Sequence, residues 1–557
     1  MQKFLFVALA ALALIACSSS TTSPTDDMTT PDENTPTDKD QVLPDITDGG
    51  DTATTDGDTT TTDDLMTDDG IQSDGADTAT DADEPLSEAD GIATDDIITD
   101  DLLSDDAALP DDDVSQCTSI PEPEPAAADP MPTFYNGKVE TVTNNGFTDH
   151  YLYSNASDYL KVGIRENWGA SIVFFGIAAN ANSNVIDAND TGREVQVAFY
   201  DPARSMQGCA YNASCQTNPE LICANSIRYL GWDPVQGGNR CNNGSPVESV
   251  NVVPGELTAI VRPLFWNPDW DQVGCGGDGC TDNILKYRQS DVRYYQRLRF
   301  VGEHIVEMRM TVENLTATAV QATLQEFPTL YAAYGAYGLA NLHDILDSTG
   351  TQIAVDIPAN DGFFYRNFET PGGWATLQND ERTYGVGIYY ENRLTAYQAW
   401  QKEGVFNNIR SQFSFGIPAN GSVTARAYLM LGSFDTIKTT AEALDAALPP
   451  FGVIDAPAAD GVYSGTLAVN GWVLDNKGVT ALMLLIDGTE HAVLPLDTAR
   501  PDVCLVYPGY GMCTGNMGYS QEVSLAGLSP CQHIIEVRAT DTDGNQRIIA
   551  RRRITVK

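Results

Sequence analysis

Two sets of side chains in this sequence have types and spacings that could do chemistry. The first gathers polar and indole groups beside glycine. It comprises Asp190, Arg193 and Gln196 in the stretch 184–200, Trp232, Gln236 and Asn239 in the stretch 231–239, and Trp266 and Trp270 further on. Indoles pack against the C–H faces of a sugar ring, and carboxylate, guanidinium and amide groups reach pairs of adjacent hydroxyls, so this mixture suits carbohydrate recognition. The second set is Glu326 and His304. At period two, Glu326 falls in phase with Val320, Ala322 and Leu324, and His304 heads the row Val306, Met308 and Met310. A carboxyl or imidazole at the end of an apolar row has a displaced pKa and is a candidate acid or base. Each group also has an ordinary structural use. Asp190-Thr-Gly-Arg193 has the composition of a turn closed by an Asp–Arg pair, Val235-Gln-Gly-Gly238 that of a glycine turn, and a polar group at a strand end can simply reach water.

The elements that must position these groups read as strands. Alternating runs recur at 138–143, 159–164, 194–200, 294–300, 304–312, 320–327, 384–390, 411–415 and 422–431, punctuated by Asn144-Asn145-Gly146, Pro371-Gly372-Gly373 and Ala419-Asn420-Gly421. The pattern predicts an all-β fold, a large antiparallel β-sandwich over residues 131–449. Within 193–200, Val195, Val197 and Phe199 share one face, and Glu194, Gln196, Ala198 and Tyr200 share the other, which is polar yet aromatic. One helix is expected over 436–447, where Ile437, Ala441, Leu444 and Ala447 recur at helical spacing before Pro449-Pro450. Residues 450–557 read as a second, seven-stranded sandwich. In it, Asp541, Asp543 and Asn545 suit either a calcium loop or, better, a strand-joining turn.

Charge divides the chain. Residues 18–130 hold 34 acidic side chains against one basic, Lys39, with no aromatic residue, whereas residues 131–557 hold 44 acids and 29 bases. The first segment cannot bury enough apolar surface to offset chain entropy and is expected to be a disordered acidic tether. Acidity in both parts argues against a nucleic-acid partner. There is no H-E-x-x-H, G-x-S-x-G or P-loop pattern in residues 450–557, no C-x₂-C pair in the chain, and no cofactor or metal is expected.

At the amino end, Lys3 precedes an apolar run from Phe4 to Ile15, too short to cross a bilayer, then Ala16-Cys17-Ser18. Leu14-Ile15-Ala16-Cys17 resembles the lipobox of bacterial lipoproteins. The resemblance implies a signal peptide over 1–16, lipidation of Cys17, and a membrane-anchored place in the cell envelope, with Ser18 favouring the outer membrane. Ten cysteines remain, an even number that in an exported chain points to disulfides. Cys209/Cys215, Cys275/Cys280, Cys223/Cys241 and Cys504/Cys513 are spaced to close loops, which leaves Cys117 and Cys531 over; the connectivity itself is not fixed by sequence.

The segments 184–200, 231–239, 262–266 and 325–328 resemble an uncharacterised family of exported bacterial proteins. That family is similar to the galactose mutarotase-like β-supersandwich group, which includes sugar epimerases, polysaccharide lyases and domains of glycoside hydrolases. The resemblance implies a supersandwich and a carbohydrate partner, and, since mutarotases use a histidine and a glutamate on facing strands, Glu326 with His304 as the pair to examine. Gly471-Trp472-Val-Leu-Asp475, Arg500-Pro-Asp502 and Ala539-Thr-Asp541-Thr-Asp543-Gly-Asn545 are similar to elements of bacterial Ig-like domains, implying an Ig-like sandwich that acts as a spacer or accessory module.

Overall fold

The computed structural model describes residues 117–126, 131–134, 138–154, 159–205, 234–239, 242–266, 289–334, 340–359 and 362–557. Cys17, the acidic segment before residue 117, Trp232, Trp270, and Cys209, Cys215, Cys223, Cys241, Cys275 and Cys280 lie outside them.

The large domain is two sheets packed face to face, one of thirteen strands and one of eight. In the larger sheet the strands Val195–Ala198, Val320–Ala332, Phe406–Ser411, Ala396–Lys402 and Phe363–Glu369 are successive neighbours, all paired antiparallel. The smaller sheet centres on Ser422–Gly432, Ile305–Asn314 and Val292–Gly302. Alternation decides which side chains meet between them. Val162, Phe175, Val195, Val197, Leu330 and Ile409 from one sheet and Leu298, Val306, Met308, Met310 and Leu429 from the other form one buried core. Hairpin chemistry follows the sequence: at Asn145-Gly146 both residues have positive φ, 51° and 82°, which is what a two-residue turn matched to strand twist requires.

The two outer faces differ. That of the eight-stranded sheet is covered. The helix Phe434–Ala447, capped by Ser433 Oγ accepting from Thr436 N, lays Ile437, Ala441 and Leu444 against Trp374, Tyr389, Tyr428 and Met430. That of the thirteen-stranded sheet bears a cleft.

Residues 451–556 form a second sandwich of a four-stranded and a five-stranded sheet, nine strands where seven are expected, because the short pieces Val462–Tyr463 and Leu496–Thr498 extend the sheet edges. This module is docked on the large domain and does not stand off as a spacer. Tyr510 donates to the buried Glu391 carboxylate at 2.8 Å, Asn392 Nδ2 donates to the Pro508 carbonyl, and Asn476 Nδ2 donates to the Asp445 carbonyl. Two disulfides are formed among the described residues. Cys504–Cys513 is the short loop closure expected; the two left-over cysteines join each other, Cys117 to Cys531 across 414 residues. Asp541, Asp543 and Asn545 build a turn, with Asn545 donating through backbone and side chain to the Asp541 carboxylate and Lys477 pairing with Asp543.

Candidate functional site

The cleft on the open face has a volume of about 700 Å³ and gathers side chains from five adjacent strands and the segments beside them. Its floor follows from the period-two rule. Val195 and Val197 point into the core, so Gln196 and Ala198 face outward, followed by Tyr200. On the neighbouring strand a β-bulge between Glu326 and Thr329 shifts the register, so that Phe327 and Leu330 face the core while Glu326 and Tyr331 face the cleft. The row Val320, Ala322 and Leu324 is not one buried apolar row: the register also shifts between Val320 and Thr323, Val320 packs on the core, Leu324 is 41% exposed, and Glu326 lies on the outer side, lining the cleft. Asn408 and Arg410 come from the third strand, Trp400 and Lys402 from the fourth, and Phe363 from the fifth.

Two charge pairs lie in the cleft. Arg193 pairs with Asp190 at 3.2 Å, closing the loop, and its guanidinium also donates to the Val405 carbonyl. Glu326 pairs with Arg410 and accepts from Tyr200 Oη at 2.8 Å. Arg410 in turn donates to Gln398 Oε1, which also accepts from Trp400 Nε1 at 2.6 Å and so fixes the indole, itself stacked on Tyr365 at 5.2 Å. Lys402 lies 4.7 Å over the Phe363 ring. Aromatic surface comes from Trp266, Tyr331, Phe363, Trp400 and Phe406.

Beneath the loop sits Glu194, fully buried. Its Oε2 accepts from Gly192 N at 2.9 Å, its Oε1 has no partner, and burial pushes its carboxyl well above the carboxylate range. Asp187, 3% exposed, is pushed up to about 7 by burial, which outweighs the nearby Arg193. Burial raises Asp190 as well, opposed by Arg193. Tyr331 is raised to about 12, again by burial, against the amide of Asn408. Backbone closeness holds the loop down: a Cβ on Gly237 would lie 2.5 Å from Gln196 Oε1 and 2.8 Å from Glu194 Oε2, while its N–H donates to Gln196 Oε1.

Among the residues singled out by sequence, Asp190, Arg193, Gln196, Asn239, Trp266 and Glu326 converge on the cleft. Gln236 does not line it. It is fully buried behind the floor, Oε1 accepting from Val197 N and Nε2 donating to Gly169 O and Gln296 Oε1, which is a staple between layers. His304 is also elsewhere, on the turn between Val292–Gly302 and Ile305–Asn314 of the other sheet, edge-on to Tyr159 at 6.1 Å; the structure does not bring it to Glu326. Trp232 and Trp270 lie outside the described residues. The sequence reading missed Tyr331, Phe363, Trp400, Lys402, Phe406, Asn408 and Arg410. A signal existed in Tyr397-Gln-Ala-Trp400-Gln-Lys402, where Tyr397 and Ala399 are core while Gln398, Trp400 and Lys402 form a polar and aromatic outward row.

No protein-family model matches the chain, and no curated protein matches it. Among solved structures, the chain is similar to a putative aldose 1-epimerase from Klebsiella pneumoniae at 11% identity and TM-score 0.31, covering 56% of this chain and 87% of that one. It is similar to a putative aldose 1-epimerase from Escherichia coli at 9% identity and TM-score 0.28, covering 53% and 99%. A third is a polysaccharide lyase, at 7% identity and TM-score 0.28, covering 72% of this chain and 46% of that chain.

Proposed function

We propose that the chain is a carbohydrate-binding lipoprotein of the bacterial cell envelope, held on a membrane by acyl chains at Cys17, with the Ig-like module as a docked accessory. The observation that carries the reading is the cleft itself. An open sheet face there combines Trp266, Trp400, Tyr331, Phe363 and Phe406 with Asp190, Arg193, Glu326, Asn408 and Arg410. Rings for sugar faces and forked polar groups for hydroxyl pairs are the two requirements of glycan recognition. The anchoring is supported by the motif ending at Cys17. Two acyl chains suffice for stable attachment, since each buried CH₂ contributes about 0.8 kcal/mol.

A glycan array probed with the full mature chain tests this. A sugar covering about 80 Å² of an indole at roughly 25 cal/mol per Å² gains about 2 kcal/mol. Trp266→Ala should therefore weaken binding about 30-fold without altering the melting profile. Absence of binding to every glycan, or unchanged binding by the variant, refutes the assignment. A second reading, a polysaccharide lyase or sugar epimerase, has one observation in its favour: Glu326, Tyr200 and Arg410 converge within hydrogen-bond reach. Formation of unsaturated or epimerised product from any glycan that binds, abolished by Glu326→Gln, would establish it.

A further inference from the structure

A second concavity, of about 200 Å³, opens beside the cleft. Its floor is Ile186, Asp187, Ala333 and Tyr334, all buried, and its rim is formed by the exposed Asn182 and Asn189. The Asp187 carboxyl is half committed. Oδ1 accepts from Asn189 N at 3.3 Å and Asn189 Nδ2 at 2.8 Å, but Oδ2 is buried with no hydrogen-bond partner. Leaving such an oxygen unmet is unfavourable, and a donor supplied through the pocket offsets the loss. The Asn184 amide is not the recognising group, because its oxygen already accepts from Phe175 N and Ile186 N and its nitrogen donates to the Val173 and Ile186 carbonyls. Tyr334 gives its hydroxyl to Glu403 and offers the pocket its ring.

The two cavities share one stretch of chain. Asp187, Ala188 and Asn189 line the pocket, and Asp190 to Arg193 line the cleft. Three residues of backbone span at most about 11 Å, a gap that a short oligosaccharide bridges. From this continuity, together with the unmet carboxyl oxygen and the ring wall, we infer that the pocket is a second subsite of one glycan-binding surface and that the ligand is an oligosaccharide, not a single sugar. The inference rests on the carbohydrate reading of the cleft. The pocket takes a neutral, hydroxyl-rich unit: its one ionisable group facing inward is an acid, which repels a uronate or sulfate. The Asp187 carboxyl, half protonated near pH 7, can both donate to and accept from such a unit.

Calorimetric titration of the full mature chain with cello-, manno- and galacturono-oligosaccharides of one to six units tests the inference. In the neutral cello or manno series affinity should rise at least tenfold from the shortest ligand bound to the longest, and a gain of that size in the galacturono series instead overturns the neutral-unit reading. Asn182→Ala and Asp187→Asn should each remove most of that gain while leaving the shortest ligand within twofold. Asn182 is exposed, so its variant reports even if the buried Asp187 change proves destabilising. Affinity independent of length, or an equal loss on short and long ligands, overturns the second subsite and leaves the cleft reading standing. No binding by any series, with none on the array, overturns both.

Discussion

The docking of the two sandwiches makes a loop of the small domain responsible for a buried charge of the large one. Glu391, 3% exposed, accepts from Arg426 at 2.9 Å, from Tyr428 Oη at 2.8 Å and from Tyr510 Oη at 2.8 Å. Tyr510 is the donor that comes from the small domain, from a loop drawn in by the Cys504–Cys513 bridge and seated so closely that a Cβ on Gly509 would lie 2.4 Å from Asn392 Nδ2. Tyr510→Phe keeps the ring and removes only the hydroxyl. A hydrogen bond to a charged group contributes about 1.5–3 kcal/mol, and since two donors to Glu391 remain, the expected loss is about 2 kcal/mol. The assay is urea unfolding with disulfides intact, read by hydrogen exchange in peptides covering Gly385–Tyr390 and Ser422–Gly432 of the large domain. Exchange there should accelerate about 30-fold in the variant although the change lies outside that domain. A loss below about 0.5 kcal/mol, the range of ordinary surface changes, or faster exchange confined to residues 451–556, refutes the coupling.

Two other outcomes follow from the groups packed beneath the Asp190–Arg193 loop. Asp187 titrates near 7 when folded and near 3.8 when free, so the folded chain binds the extra proton between those values, and its contribution to stability is full below about pH 4 and is lost as pH rises through 7. Melting temperature measured from pH 4 to 8 should fall more steeply for the wild type than for Asp187→Asn; parallel profiles would contradict this. Gly237→Ala, whose new methyl would meet Gln196 and Glu194, should lower stability by about 1–3 kcal/mol and weaken glycan binding together, checked by denaturant titration and calorimetry.

Strand existence was legible because one face of each strand is core: Val195 with Val197, and Val306 with Met308 and Met310, alternate as sequence reasoning requires. The helix read the same way, with Ile437, Ala441 and Leu444 buried. The half of the cleft carried by 184–200 was legible too, since its polar and aromatic residues share a phase. The other half was not. Ala396–Lys402 and Phe406–Ser411 carry polar residues such as Gln398 and Asn407 in buried positions, and Phe363–Glu369 has no fully buried face, which blurs the apolar rhythm that marks a strand even where Tyr397 and Ala399 keep it. Glu326 was found for the wrong reason. Its phase with Val320 suggests burial in the core, whereas an irregularity between Val320 and Thr323 breaks that phase, leaving Val320 packed on the core and Leu324 and Glu326 on the outer side, and a bulge leaves no trace in period-two counting. His304 was paired with it by analogy, and topology placed the two on separate sheets.

The bond between Cys117 and Cys531 decides where a mechanical load enters the molecule. Any pull on the amino-terminal segment passes through sulfur into the residue before Gln532–Asp541, a strand flanked on both sides in its sheet. The load thus enters a strand held by two rows of hydrogen bonds at once. The amino-terminal segment cannot be drawn away from the small sandwich unless the disulfide or that central strand gives way.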